Sequence, residues 1–122
     1  MAKIKSLFRA SATSFTANDS AWSTPSKAML ITHWGEWDNG TIWLRCTDGN
    51  IRKCKTDRIG NAAEVAQLIA ALEFAYENKL PVILRAMGSY NSTNKWFAEV
   101  TFVAYNEVAS ACPLKATATT FA

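Results

Sequence analysis

Two closely spaced glycine turns constrain this chain more than any other feature. Asn39-Gly40 separates the run AMLITHWGEW from TIWLRCT, and Asp48-Gly49 separates TIWLRCT from NIRKCKT. The flanking runs are rich in β-branched and aromatic residues. An Asn-Gly or Asp-Gly pair between such runs is a strong hairpin signal, because glycine supplies the positive φ that tight hairpin turns require. The pattern predicts a three-strand antiparallel meander over about residues 28–56.

Side chains alternate between the two faces of a strand, so the length of each turn decides which residues share a side. Read as two-residue turns, the loops place Trp37 opposite Ile42, Trp34 opposite Arg45, Arg45 opposite Arg52 and Trp43 opposite Cys54. One face then collects Met29, Ile31, His33, Trp37, Ile42, Leu44, Cys46 and Ile51, and is core-like. The other collects Thr32, Trp34, Glu36, Trp43, Arg45, Arg52 and Cys54. A three-residue first loop would move the first strand by one position and exchange Trp34 for Trp37.

A helix is expected next, over about residues 61–78. Asn61 is a good N-cap, and Glu64 three residues later is close to a capping-box arrangement. Val65, Leu68, Ile69, Leu72 and Tyr76 recur at helical spacing and form one apolar stripe, while Asn78 and Pro81 bracket the stop. Phe74 falls on the opposite side, to be covered by another segment or offered to a partner. After Pro81, VILRAMG and KWFAEVTFVAY read as two further strands joined by the loop GSYNSTN. Trp96 and Phe97 alternate, so at least one of them belongs in the core. KIKSLFRA near the N-terminus reads as a short strand, and the stretch from about Val108 as an added strand or a frayed tail.

The chain of 122 residues, 49% apolar and 19% charged, has the size and composition of a single globular domain spanning 1–122. Its core is expected at about 28–104, with N- and C-terminal extensions. The order β-β-β-α-β-β, with an extra N-terminal segment, makes it a mainly β fold with one helix, in the α+β class. This order resembles the OB-fold, a five-stranded antiparallel, partly open barrel with its helix between the third and fourth strands. The resemblance covers about residues 28–104 and rests on element order. It implies a binding face on the second and third strands, flanked by the loop joining the first two strands and the loop joining the last two.

The net charge of +3 is a mild bias, but Arg45, Arg52, Lys53, Lys55 and Arg58 cluster against only Asp48 and Asp57. Interleaved indoles and cations suit single-stranded nucleic acid, whose bases offer ring faces and whose backbone needs positive charge. On this reading Trp34 and Trp43 stack bases while Arg45 and Arg52 meet phosphates. The alternative is that both indoles pack beneath a terminal segment, with Arg45 laid over Trp34. Tyr90, Asn91 and Lys95, in the last loop, add groups able to contact a nucleotide, although ordinary hairpin loops have a similar composition.

Catalytic patterns are missing. His33 is the sole histidine, no nucleophile motif surrounds a serine or cysteine, and no glycine-rich phosphate loop occurs. Cys46, Cys54, Cys112 and His33 lack zinc-ligand spacing, so no metal or other cofactor is expected. The odd cysteine count fits a reducing compartment. Without a signal-peptide pattern or an apolar run of membrane-spanning length, the expected location is cytoplasmic and no membrane partner is expected. The expected function is non-catalytic binding of single-stranded DNA or RNA. Two other readings stay open: a binder of a nucleotide-like small molecule, as a homo-oligomer, and an assembly domain in which Trp34, Trp43 and Phe74 meet another chain.

Overall fold

The computed structural model describes residues 5–14, 23–86 and 96–121, with the backbone alone at Arg58 and residues 118–121. The strands are β1 (Lys5–Ser11), β2 (Ile31–Glu36), β3 (Ile42–Cys46) and β4 (Ile51–Cys54), then β5 (Val82–Arg85), β6 (Glu99–Tyr105) and β7 (Ala116–Phe121). Helix α1 (Ala62–Glu77) lies between β4 and β5, and the single-turn α2 (Asn106–Ala109) follows β6. The fold is therefore mainly β with one main helix. Its strands form two antiparallel sheets, ordered β5-β6-β1-β7 and β2-β3-β4, and no closed barrel forms among the described residues. Two isolated bridges join the sheets, Met29 to Val82 antiparallel and Lys53 to Trp96 parallel.

The predicted meander is present, but both of its turns are one residue longer than a two-residue reading allows. Trp37 donates its N–H to the Thr41 carbonyl and Gly40 donates back to Trp37, which leaves Asp38, Asn39 and Gly40 as the loop. Gly49 N–H likewise donates to Cys46, with Thr47, Asp48 and Gly49 between Cys46 and Asn50. Gly40 and Gly49 take φ of +85° and +83°, whereas Asn39 and Asp48 do not have positive φ. A type I′ turn needs positive φ at both central residues; a three-residue loop needs it only at the closing glycine. The cause is local. Asn39 Oδ1 accepts from Thr41 N–H at 3.1 Å and Asp48 Oδ1 accepts from Asn50 N–H at 3.0 Å. These side-chain bonds hold each residue in a turn conformation of its own.

The register therefore shifts by one on both flanking strands. Gly35 pairs with Trp43, Trp34 with Leu44, and Glu36 with Ile42. Across the second hairpin Trp43 pairs with Lys53, Leu44 with Arg52, and Arg45 with Ile51. A bulge between Ile31 and His33 restores the alternation upstream, so Met29 and Ile31 remain buried. Cys54 moves opposite Ile42 to the core face, which Cys46 shares further along β3, and both thiols are buried. Burial pushes their pKa values up, to about 12 for Cys54 and about 11 for Cys46.

The larger sheet packs Phe8, Ala10, Val82, Leu84, Val100, Phe102 and Ala104 against the helix side of the core. The N-terminal strand is no appendage: β1 lies between β6 and β7 and pairs with both. Asn61 caps α1 by accepting from Ala63 N–H at 2.9 Å. Glu64 does not complete a capping box; its carboxylate accepts from the N–H and hydroxyl groups of Thr13 and Ser14, clamping the chain after β1 onto the helix. Leu68 and Leu72 are buried as the stripe predicts, while Tyr76 is exposed. Phe74 is covered by the sheet, its ring stacked on Phe102 at 5.8 Å, and Phe102 stacks in turn on Phe8 at 5.4 Å.

Candidate functional site

The shifted register rebuilds the aromatic and basic face with a different membership. Two paired cross-strand rows lie on the outer side of the meander, Gly35 with Trp43 and Lys53, and His33 with Arg45 and Ile51; Trp37 hydrogen-bonded to Thr41 continues them at the turn, and parity past the end of β4 adds Lys55. Trp43 and Arg45, both expected on this face, are there. Trp34 and Arg52 are not, and this corrects the two-residue reading. Trp34 shares the Leu44 side and packs half-buried against the core. Arg52 shares it too, with its terminal nitrogens held by Asp48 at 3.2 and 2.9 Å. Tyr90, Asn91 and Lys95 lie outside the described residues.

Gly35 explains how Trp43 is held. A Cβ at position 35 would lie 3.0 Å from Trp43 Nε1 and 3.2 Å from its Cε2 and Cζ2. The indole therefore lies across the neighbouring strand in the space a side chain would fill, half-buried on its seat. Trp37, at 44% exposure, is the most exposed of the large apolar side chains described. Lys53 Nζ sits 5.1 Å from the centre of the Trp37 ring, and Lys55 Nζ sits 5.2 Å from the centre of the Trp96 ring. Such cation–π pairs keep large indoles wetted while parking ammonium groups beside them.

The charges are segregated. Arg45, Lys53 and Lys55 occupy the outer rows without a carboxylate among the residues of those rows. Glu36, by parity, belongs to the opposite side with Ile42. Asp48 is spent on Arg52 and Asn50, and the Arg52 guanidinium holds its carboxyl well below its ordinary 3.8, at about 2. His33 is exposed at the end of the face, its Nδ1 3.0 Å from Thr32 Oγ1.

A second polar cluster lies on the outer side of the larger sheet. Glu99 is buried, yet it accepts two bonds from Arg85 at 2.7 and 3.1 Å and one from Ser11 at 2.6 Å. Burial opposes its ionisation, but these donors and the Arg85 and Arg9 charges outweigh it, and its pKa is lowered. This cluster joins β5, β6 and β1. Because its acceptors are matched, it reads as sheet architecture.

Sequence reasoning left out Trp37, Lys53 and Lys55 as site members. Histidine supplied the available signal: the two-residue register puts His33 among core residues, whereas the three-residue register puts it at the surface. No helix among the described residues is long and apolar enough to cross a membrane. Comparison with known proteins finds no matching family model, no matching curated protein and no matching solved structure.

Proposed function

We propose that this protein is a non-catalytic binder of single-stranded DNA or RNA, and that the outer face of the meander is its interface. One observation carries the reading: Trp37 and Trp43 share a face with Arg45, Lys53 and Lys55, and the described residues of those rows include no acidic one. Indoles stack on bases of any sequence, and cations track the backbone, so sequence preference is modest. The OB-like resemblance supports the same face. The helix falls between the third and fourth strands of the set β2, β3, β4, β5 and β6, and the two bridges join the chain before β2 to β5 and β4 to the chain before β6. OB-like domains bind on their second and third strands, here β3 and β4. The burial of Phe74 removes one of the three residues behind the assembly reading.

The test is fluorescence anisotropy of labelled oligothymidylate and oligouridylate against salt concentration. Three cations give a logarithmic salt slope of about −2 for a single strand. Trp43→Ala weakens binding roughly 5- to 150-fold, the worth of one stacked base. Arg45→Ala weakens it less and reduces the slope by about 0.7. Folded protein that ignores both oligonucleotides at low salt overturns the proposal.

A further inference from the structure

The two sheets meet along a seam, and the seam is open. Trp96 bridges Lys53, and Phe97 N–H donates to the Lys53 carbonyl at 2.9 Å. A cleft of about 560 Å³ among the described residues adjoins this bridge. Thr24, Lys27, Asp48, Arg52, Arg85 and Trp96 line it, with the backbone of residues 23–29 as one wall. That wall is fixed. Ser23 and Ser26 donate their N–H groups to Ala86 and Leu84 at 2.9 Å, and their hydroxyls accept the N–H groups of Ala86 and Leu84 at 3.0 Å. The cleft is thus pre-formed and within the size range of small-molecule sites.

We infer that this cleft holds one nucleoside monophosphate unit, with its base beside Trp96 and its phosphate toward Lys27. The inference rests on the nucleic-acid reading above and deepens it. Charge selects the ligand class. Asp48 neutralises Arg52 and Glu99 neutralises Arg85, while Lys27 is exposed and makes no ion pair among the described residues. Lys27 is therefore the lining cation that stands outside an ion pair among the described residues, and one such ammonium suits a single phosphate group. Position connects the cleft to the face. Trp96 lines the cleft and also lies under Lys55, so a strand crossing Trp37 and Trp43 reaches the cleft across β4. The unit is either one nucleotide of a bound strand or a free mononucleotide.

Titration of the full chain with thymidine 5′-monophosphate, followed by amide NMR shifts, separates these sources. The monophosphate is expected to shift the Lys27, Leu84 and Ala86 amides at millimolar concentrations. Lys27→Ala should weaken it roughly 10-fold, the worth of one charge-assisted hydrogen bond. Lys27 is exposed, so an unaltered urea midpoint confirms that its variant folds. If Lys27→Ala also weakens oligothymidylate, the unit belongs to the strand. If the monophosphate binds but oligothymidylate does not, the cleft is a free-nucleotide site and the strand-binding reading fails. If oligothymidylate binds while the monophosphate leaves these amides unmoved and Lys27→Ala changes nothing, the cleft proposal is overturned and the outer-face reading stands.

Discussion

Substituting Gly35 by alanine separates the seating of Trp43 from the stability of the sheet. The new Cβ would lie 3.0 Å from Trp43 Nε1 and 3.2 Å from Cε2 and Cζ2, against an ordinary contact distance of 3.4 Å or more. The ring edge must retreat by about 0.4 Å, a tilt of only a few degrees, at a cost of no more than about 0.5 kcal/mol. Removing a glycine from a strand returns roughly 0.5–1 kcal/mol, because the unfolded chain has less freedom to lose. The two effects oppose each other, so the urea-unfolding free energy should change by no more than about 1 kcal/mol. Binding has no such compensation. A tilted indole forfeits part of the 1–3 kcal/mol that stacking supplies, so oligothymidylate affinity should fall about 5-fold by anisotropy at low salt. Tryptophan emission should also shift to the red as the ring leaves its seat. A folded Gly35→Ala protein with unchanged emission and affinity refutes the claim that Trp43 is a seated stacking platform. Destabilisation beyond about 3 kcal/mol refutes it differently, by showing that Trp43 is chiefly a packing residue.

Leu72 is fully buried on the helix stripe, so Leu72→Ala should cost roughly 2–5 kcal/mol in urea unfolding; a loss under about 0.5 kcal/mol would contradict the stripe. Gly40 and Gly49 share nearly the same positive φ, but a Cβ at 40 would also meet Thr56 Oγ1 at 3.3 Å while one at 49 meets nothing within 4 Å. Gly40→Ala should therefore lower the thermal midpoint more than Gly49→Ala, each within the roughly 1–3 kcal/mol of a strained backbone position. Asp48 has its folded pKa depressed, so its contribution is present above the unfolded value of 3.8 and is lost as pH falls toward about 2. Urea midpoints measured across that window should drop in the native protein and drop less in Asp48→Asn; parallel curves would show that the Arg52 contact adds no stability.

The parts of the fold legible in the sequence were those set by short-range chemistry. Gly40 and Gly49 mark hairpins because positive φ is required there, and Asn61 marks the helix start because its side chain caps Ala63. Register was harder to read. Asn-Gly and Asp-Gly fit both two-residue and three-residue loops, and the choice turns on whether the Asn or Asp side chain bonds its own backbone two residues on. A one-residue difference then transfers Trp34 and Arg52 to the core side and brings Trp37, Lys53 and Lys55 to the face. Long-range pairing was least legible. Nothing local to KSLFRAS indicates that β1 will sit between β6 and β7, and nothing local to Phe74 indicates that Phe102 will cover it.

A different explanation of the lysines has to be weighed against the functional one. β4 is the edge of its sheet beyond the single bridge at Lys53, and edge strands are commonly guarded by lysines that discourage pairing with another chain. Edge protection accounts for Lys53 and Lys55 as charges. It does not account for where the ammonium groups lie, over Trp37 and Trp96, since an edge is guarded equally well by a lysine extended into water. Nor does it account for Trp37, which is central to no core, spans the mouth of a turn and keeps 44% of its surface exposed. On the proposed function, Trp37 and Trp43 would take unstacked bases, and Lys53, which lies over the Trp37 ring, would exchange that ring for a phosphate when a base arrives.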